Sequence, residues 1–324
     1  MKCLYHTHYR FYKPDTKTTP SFLLLSDIHF STKVQNDRLS ALLKHATKLR
    51  PDYILIPGDL IDSLESIDAP HGRQRLFAWL TELGAIAPVF ICLGNHDFYR
   101  TNPAFASVFS RKQHWYAELS YKYIKDLNQL PNVHCLHNAA YEDKQVYIFG
   151  LTVSPDYYQF DHDGHTTTFL HPGDEHKDVL LDDLNNIPTK QLHNLPRRKA
   201  KIALIHPPYY LDDPEIAPFF ADFDFVIAGH MHNGLVPPVV HDFWRSDRGI
   251  YAPGKHFFRQ KSRARITTPD QKIIICGAVS TFQKSAKPLT FLNSIYPVNT
   301  ALLEFTHQSR FARKPDVHNK YISF

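Results

Sequence analysis

Five apolar runs in this chain of 324 residues each end in residues that can hold a metal ion or move a proton. Run 22–25 leads into Asp27-Ile28-His29, and run 53–56 into Gly58-Asp59. Run 89–93 ends in Gly94-Asn95-His96-Asp97, run 202–205 in His206, and run 225–228 in Gly229-His230-Met231-His232. Carboxylates, carboxamides and imidazoles are oxygen and nitrogen donors for a hard or borderline divalent ion. Short continuous apolar runs read as buried strands. Open α/β sheets bind ligands beyond the carboxyl ends of their strands, so the five ends are expected to converge on one crevice.

Asp27, His29, Asp59, Asn95, His206, His230 and His232 are the candidate ligands. They are too many for one catalytic ion that must keep an open position, and they suit two ions sharing one ligand. Asp59 is the candidate bridge, because its two oxygens can face two ions and its strand should lie between those of Asp27 and Asn95. One ion would take Asp27, His29 and one of the two closing histidines; the other would take Asn95, His206 and the remaining histidine. Two divalent ions, two carboxylates and a bridging hydroxide leave a site of about +1, which favours an anion such as phosphate. Two ions ~3.5–4 Å apart clamp the attacking and leaving oxygens of an in-line displacement. His96 follows Asn95 directly and cannot easily face the same ion, so it is the candidate proton donor to the leaving oxygen. Asp97 is expected to orient it. Asp62 is expected to cap the next segment or to support the site from behind.

The elements that must position these groups follow from periodicity. Leu39, Leu42, Leu43, Ala46 and Leu49 recur at helical spacing between a cap at Asn36 or Asp37 and a stop at Pro51. A second helix carries Leu76, Phe77, Leu80 and Leu83 and is expected to end at Gly84. With the flanking strands this is a βαβαβ unit. A third helical pattern runs over 115–130, followed by strands at 133–136 and 146–151. Residues 154–176 are rich in Asp, His, Tyr, Gly and Pro without period, and read as a lid or a surface loop. His162, His165, His171 and His176 within it read as solvated. Helix 178–186, a short helix at 214–220 and strands at 272–276 and 301–305 complete the pattern. Residues 1–21 read as an N-terminal arm or edge strand, 22–310 as one domain, and 311–324 as a C-terminal tail.

A hydrophobic content of 43% in a chain of this length supports a large core. The formal charge of +5 is concentrated in a basic insertion at 244–265, which carries an excess of six positive charges. Cys3, Cys92, Cys135 and Cys276 form no C-x-x-C pair and read as thiols of a reducing compartment. With no apolar stretch long enough to span a bilayer, the chain is expected to be soluble and cytoplasmic, with peripheral membrane association as an option.

The five blocks resemble the calcineurin-like metallophosphoesterases. That pattern, D-x-H, G-D-x-x-D, G-N-H-[DE], a lone His and G-H-x-H, stands here as Asp27-Ile28-His29, Gly58-Asp59-Leu60-Ile61-Asp62, Gly94-Asn95-His96-Asp97, His206 and Gly229-His230-Met231-His232. The resemblance implies a four-layer α/β/β/α sandwich of the metallo-dependent phosphatase type. It implies two metals bridged by Asp59, with His232 joining Asp27 and His29, and His230 joining Asn95 and His206. It also implies hydrolysis of phosphodiesters or phosphomonoesters by in-line attack of a metal-bridging hydroxide, with His96 assisting the leaving group. The chain looks closest to the bacterial phosphodiesterase-type branch, some members of which are membrane-anchored. Mixed Asp/Asn/His shells suit Mn²⁺ or Fe first and also Zn²⁺. The alternatives are a pyrophosphohydrolase or nuclease with the same metals, and a non-catalytic scaffold of this fold. Substrate contacts are expected from Tyr209, after His206, and from Lys255 and Arg259 in the basic insertion. There Tyr251, His256, Phe257 and Phe258 interleave with the cations, a surface suited to a nucleotide or a lipid headgroup. Lys261 and Arg263 are expected to share that exposed rim.

Overall fold

The computed structural model describes residues 3–31, 36–68, 70–101, 114–116, 121–158, 176–236, 248–252, 256–258, 260–267, 272–279, 296–311 and 316–323. Most of the expected lid, and both Lys255 and Arg259, lie outside the described residues. The first half contains β1 (Cys3–Tyr12), β2 (Ser21–Leu24), α1 (Asn36–Leu49), β3 (Tyr53–Pro57), α2 (Glu65–Asp68), α3 (Pro70–Ile86) and β4 (Val89–Cys92). It continues with β5 (Tyr99–Thr101), β6 (His114–Tyr116), α4 (Tyr121–Asn128), β7 (Val133–Cys135), β8 (Ala139–Glu142) and β9 (Val146–Leu151). The second half holds α5 (Lys177–Asn185), β10 (Ala200–Ile205), β11 (Phe225–Ala228), β12 (Tyr251–Ala252) and β13 (His256–Phe257). It closes with β14 (Ala264–Thr267), β15 (Lys272–Ile275), β16 (Val298–Thr306) and β17 (Asp316–Ser323).

Two large sheets face each other. One has the order β17-β1-β16-β2-β3-β4-β7, the other β14-β15-β11-β10-β9-β8. Successive side chains of a strand point to opposite faces, and here that alternation sorts the core into layers. Phe22 and Leu24 of β2, Tyr53 and Leu55 of β3, and Phe90 and Cys92 of β4 meet Ile202, Leu204, Phe225 and Ile227 between the sheets. Leu23, Ile54, Ile56, Val89 and Ile91 face outward onto Leu42, Ala46, Leu80 and Leu83 of α1 and α3. On the far side Ala203, Ile205 and Val226 pack against Leu180 and Leu184 of α5. The result is the expected α/β/β/α sandwich. No helix among the described residues is long and apolar enough to cross a membrane.

Several expectations are corrected. Residues 3–12 are neither an arm nor an edge strand: β1 pairs with β16 on one side and β17 on the other. The expected C-terminal tail supplies β17, the edge of the first sheet. The helix expected to end at Gly84 runs on to Ile86. Gly84 serves close packing, since a Cβ there would lie 2.4 Å from the carbonyl of Pro131. Trp115 belongs to β6, paired with β5, and the described helix of this stretch is Tyr121–Asn128.

A buried string of polar groups ties α1 to the first sheet. His6 Nδ1 lies 2.9 Å from Thr300 Oγ1 and 3.1 Å from His45 Nε2. Burial, and then the neighbouring charges of His45, Lys320 and His8, hold His6 down to about 3. Burial, with Lys320 and Lys48, holds His45 down to about 4. Both rings are therefore neutral in the folded protein, whereas an unfolded histidine titrates near ~6.5. The unfolded chain binds the extra protons, so the stability present above about pH 6.5 should be lost as pH falls toward these folded values. Unfolding free energies from urea titration at pH 7.5 and 5.0 should differ less in His45→Gln than in the parent, by on the order of 2 kcal/mol. Equal pH dependence in the two proteins would remove the pair as the source.

Candidate metal centre

The strand order places all seven candidate ligands in one crevice. β2, β3 and β4 are parallel neighbours in the first sheet, and β10 and β11 are parallel neighbours in the second. The two sets meet at their carboxyl ends. There His206 Nδ1 reaches across to the backbone oxygen of Pro57 at 2.9 Å, and the His230 N–H donates to Asp27 Oδ1 at 3.1 Å. Glycines make the approach feasible. A Cβ at Gly58 would lie 2.4 Å from His206 Nδ1, one at Gly94 2.4 Å from Asp59 Oδ1, and one at Gly229 2.3 Å from Ser26 Oγ. Asp27, His29, Asp59, His230 and His232 all have positive φ, between 46° and 68°. Each such non-glycine residue costs about 1–3 kcal/mol, and such strain collects where side chains must be aimed.

The candidate ligands fall into two groups, and a third cluster, His29, Asp62 and His96, shares His29 with the first. Asp27 Oδ1 lies 3.3 Å from His232 Nε2 and 4.0 Å from His29 Nε2, and the two imidazole nitrogens are 3.1 Å apart. Asp59 Oδ2 lies 3.1 Å from His206 Nε2, which is 3.3 Å from His230 Nδ1. Each group could hold a metal ion. Asp59 Oδ2 is also 3.7 Å from His29 Nε2, so one oxygen stands between the two groups.

These residues fit a divalent centre. Asn95 Oδ1 is buried and meets no hydrogen-bond donor among the described residues, a costly state for an acceptor unless a cation takes that place. His206 Nδ1 must carry the hydrogen it donates to the Pro57 carbonyl, so a cation that displaces the Nε2 proton shared with Asp59 would find Nε2 as the donor nitrogen. Burial alone would keep Asp27 and Asp59 protonated. His232 and His206 beside Asp27, and His206 and His96 beside Asp59, hold both below the usual carboxylate range. Burial disfavours charge on His206 as well, yet Asp59 and Asp27 raise it to about 9. The cluster calls for positive charge.

His96 and Asp97 do not act as the expected pair. Both lie in the 3-10 turn Asn95–Phe98, where neighbouring side chains diverge by about a third of a turn. Asp97 accepts hydrogen bonds from the backbone N–H groups of Gly94 at 2.8 Å, Ile61 at 3.2 Å and Leu60 at 3.4 Å, bracing the loops after β3 and β4. His96 is oriented instead by the Asp62 carbonyl, 2.8 Å from Nδ1, while its N–H donates to Asp59 Oδ1 at 2.8 Å. Asp62 thus supports the site through its backbone.

Tyr209 is buried, with its hydroxyl on Met231 Sδ at 2.6 Å and its ring edge-on to His230. Two neighbours escaped the sequence reading. Ser26 Oγ donates to Asp27 Oδ2 at 2.5 Å, and Tyr158 packs its ring 5.8 Å from that of His230. The position of Ser26, directly before Asp27, could have signalled the first; nothing periodic marks Tyr158. The basic insertion does approach the crevice, since Gly249 and Ser262 both pack on Gly234, two residues past His232. It is not simply an exposed rim. Lys261 pairs with Asp212, residues 264–267 form a strand of the second sheet, and Arg263 is 5% exposed.

The sequence profile of the calcineurin-like phosphoesterase family matches residues 20–234, about two thirds of the chain. A transmembrane protein with metallophosphoesterase domain from Danio rerio is 33% identical over 90 residues, covering 26% of this chain and 18% of that protein. An uncharacterized metallophosphoesterase of Campylobacter jejuni is 28% identical over 86 residues, covering 26% of this chain and 22% of the other. The chain thus spans less than a quarter of the length of these curated relatives. The crystal structure of a dimetal phosphatase from Danio rerio is similar at a TM-score of 0.40 and 14% identity, over 84% of this chain and 90% of that one.

Proposed function

This chain belongs to the calcineurin-like phosphoesterase family, and from that premise we propose that it hydrolyses phosphate esters at a dinuclear metal centre. The observation that carries the reading is the pair of donor groups, Asp27/His29/His232 and Asp59/His206/His230, with the buried Asn95 oxygen in the turn after β4. Asp27, His29 and His232 would hold one ion, and Asn95, His206 and His230 the other, with Asp59 between. The ions, when bound, supply Lewis-acid charge for the phosphoryl oxygens and lower the pKa of water. Mn²⁺ or Fe suits this donor set best, with Zn²⁺ next.

The chain's own residues supply the rest. His96 is locked by the Asp62 carbonyl with the hydrogen on Nδ1, so Nε2 is the nitrogen that gives or takes a proton at the leaving oxygen. Tyr209 and Tyr158 wall the His230 side. Ser26 fixes the Asp27 carboxylate.

The test is a paired assay of 4-nitrophenyl phosphate and bis(4-nitrophenyl) phosphate on chelated protein, with and without added Mn²⁺. Turnover restored by Mn²⁺ supports the reading, and the better substrate assigns monoester or diester. Full metal loading without turnover of either ester would favour a non-catalytic scaffold.

A further inference from the structure

Arg263 sits away from the candidate ligands, on a cavity of about 440 Å³ at the same end of the sandwich. Tyr5 and Tyr9 of β1, Asn299 and Thr300 of β16, and Asn233, next in sequence to His232, also line it. Arg263 is 5% exposed, and its Nε and Nη1 are buried without a hydrogen-bond acceptor among the described residues. A buried guanidinium is ordinarily paired, because a desolvated charge without a partner costs several kcal/mol. Among the described residues, the ionisable groups that act on its charge are the phenols of Tyr5, Tyr9 and Tyr321, with no carboxylate among them. Asn233 Nδ2 donates to Asn299 Oδ1 at 3.3 Å, so this wall is polar and already ordered. The volume lies in the range of small-molecule pockets, roughly 300–1,000 Å³.

We propose that this cavity binds the oxyanion group, carboxylate or phosphate, of a small organic molecule with an aromatic or apolar body, and that Arg263 is its charged anchor. The fork of the guanidinium matches two oxygens of such a group, and the tyrosine rings accept the body. The ligand is either the far end of the substrate or a separate effector; the chemistry is the same. Burial also holds the Arg263 guanidinium below its ordinary pKa, as an unpaired cation requires.

The test is calorimetric titration of the Mn²⁺-loaded chain with 3-phenylpropionate and with its neutral amide. The acid should bind and the amide should bind at least ~10-fold more weakly. Arg263→Met should weaken the acid by roughly 10- to 100-fold, with metal content unchanged. Its ligand-free melting temperature should stay level or rise, because an uncompensated buried charge is gone. Arg263→Lys keeps the charge without the fork, and should fall between the two in affinity. Equal binding of acid and amide, or unchanged affinity in Arg263→Met, would overturn the pocket. So would a melting temperature lowered in Arg263→Met and restored in Arg263→Lys without change in affinity, which would make Arg263 a structural cation. If Arg263→Met does not fold, acid affinity in Arg263→Lys equal to the parent's overturns the pocket in its place. Competitive inhibition of 4-nitrophenyl phosphate hydrolysis by the acid would identify the ligand as the substrate's far end, and binding without effect on KM a separate effector. Lack of hydrolysis would count against the proposed reaction alone, since the binding arm does not need turnover.

Discussion

Asp59→Asn should empty both metal positions and reduce turnover by about 10³-fold or more, the worth of several kcal/mol of Lewis-acid stabilisation at about 1.4 kcal/mol per tenfold. Asp59 Oδ2 stands 3.1 Å from His206 Nε2 and 3.7 Å from His29 Nε2, so this carboxylate lies beside a histidine of each donor group. An amide keeps the shape and can still accept the His96 N–H at the place of Oδ1, now at 2.8 Å. Its NH₂ can donate to His206 Nε2, because the hydrogen of that ring is on Nδ1, held by Pro57. The variant should therefore fold with the parent's circular dichroism while losing the negative charge that two cations require. Elemental analysis after reconstitution should find less metal in Asp59→Asn than in His29→Ala or His206→Ala, each of which removes a donor from one group only. Full occupancy in Asp59→Asn would exclude it as the bridge.

His96→Ala should keep both ions and lose on the order of 10²–10⁴ in turnover, the usual contribution of a positioned acid–base group. The ring packs edge-on against His29 with centroids 4.6 Å apart, yet its orientation is set by the Asp62 carbonyl and not by a metal donor. The loss should be smaller for 4-nitrophenyl esters, whose leaving oxygen needs little protonation, than for an alkyl ester of the same phosphate. Metal content that falls in step with activity would instead make His96 a ligand. Asp97→Asn tests the corrected role of its neighbour. If Asp97 only braces backbone N–H groups, the amide should lower thermal stability and leave the dependence on the leaving group as in the parent.

The donor blocks were legible because each is written locally: an apolar run, then Asp, Asn or His, with a glycine between them in three of the five. Those three glycines were legible only as turn residues, and the packing shows what they make room for at Gly58, Gly94 and Gly229. The helices were legible for the same reason, since Leu39, Leu42 and Ala46 carry the period of α1, whereas the strands read only as continuous apolar runs and the packing shows the alternation that fills both cores. Gly84 was misread because a glycine at a helix end and a glycine under a crossing loop look alike in one dimension; only the Pro131 carbonyl distinguishes them.

By itself the sequence determined the candidate donor set and the βαβαβ start, which depend on residue type and spacing over a few turns of chain, while the two-sheet architecture was implied by the family resemblance those blocks carry. The tertiary structure decided which distant backbone arrives beside each of these residues. It placed β17 against β1 across most of the chain's length, gave His96 the carbonyl of Asp62 in place of the carboxylate of Asp97, and turned Arg263 from the expected rim into a cavity. Such pairings rest on contacts between segments far apart in sequence, where a side chain's direction is fixed by the packing it meets and not by its neighbours along the chain.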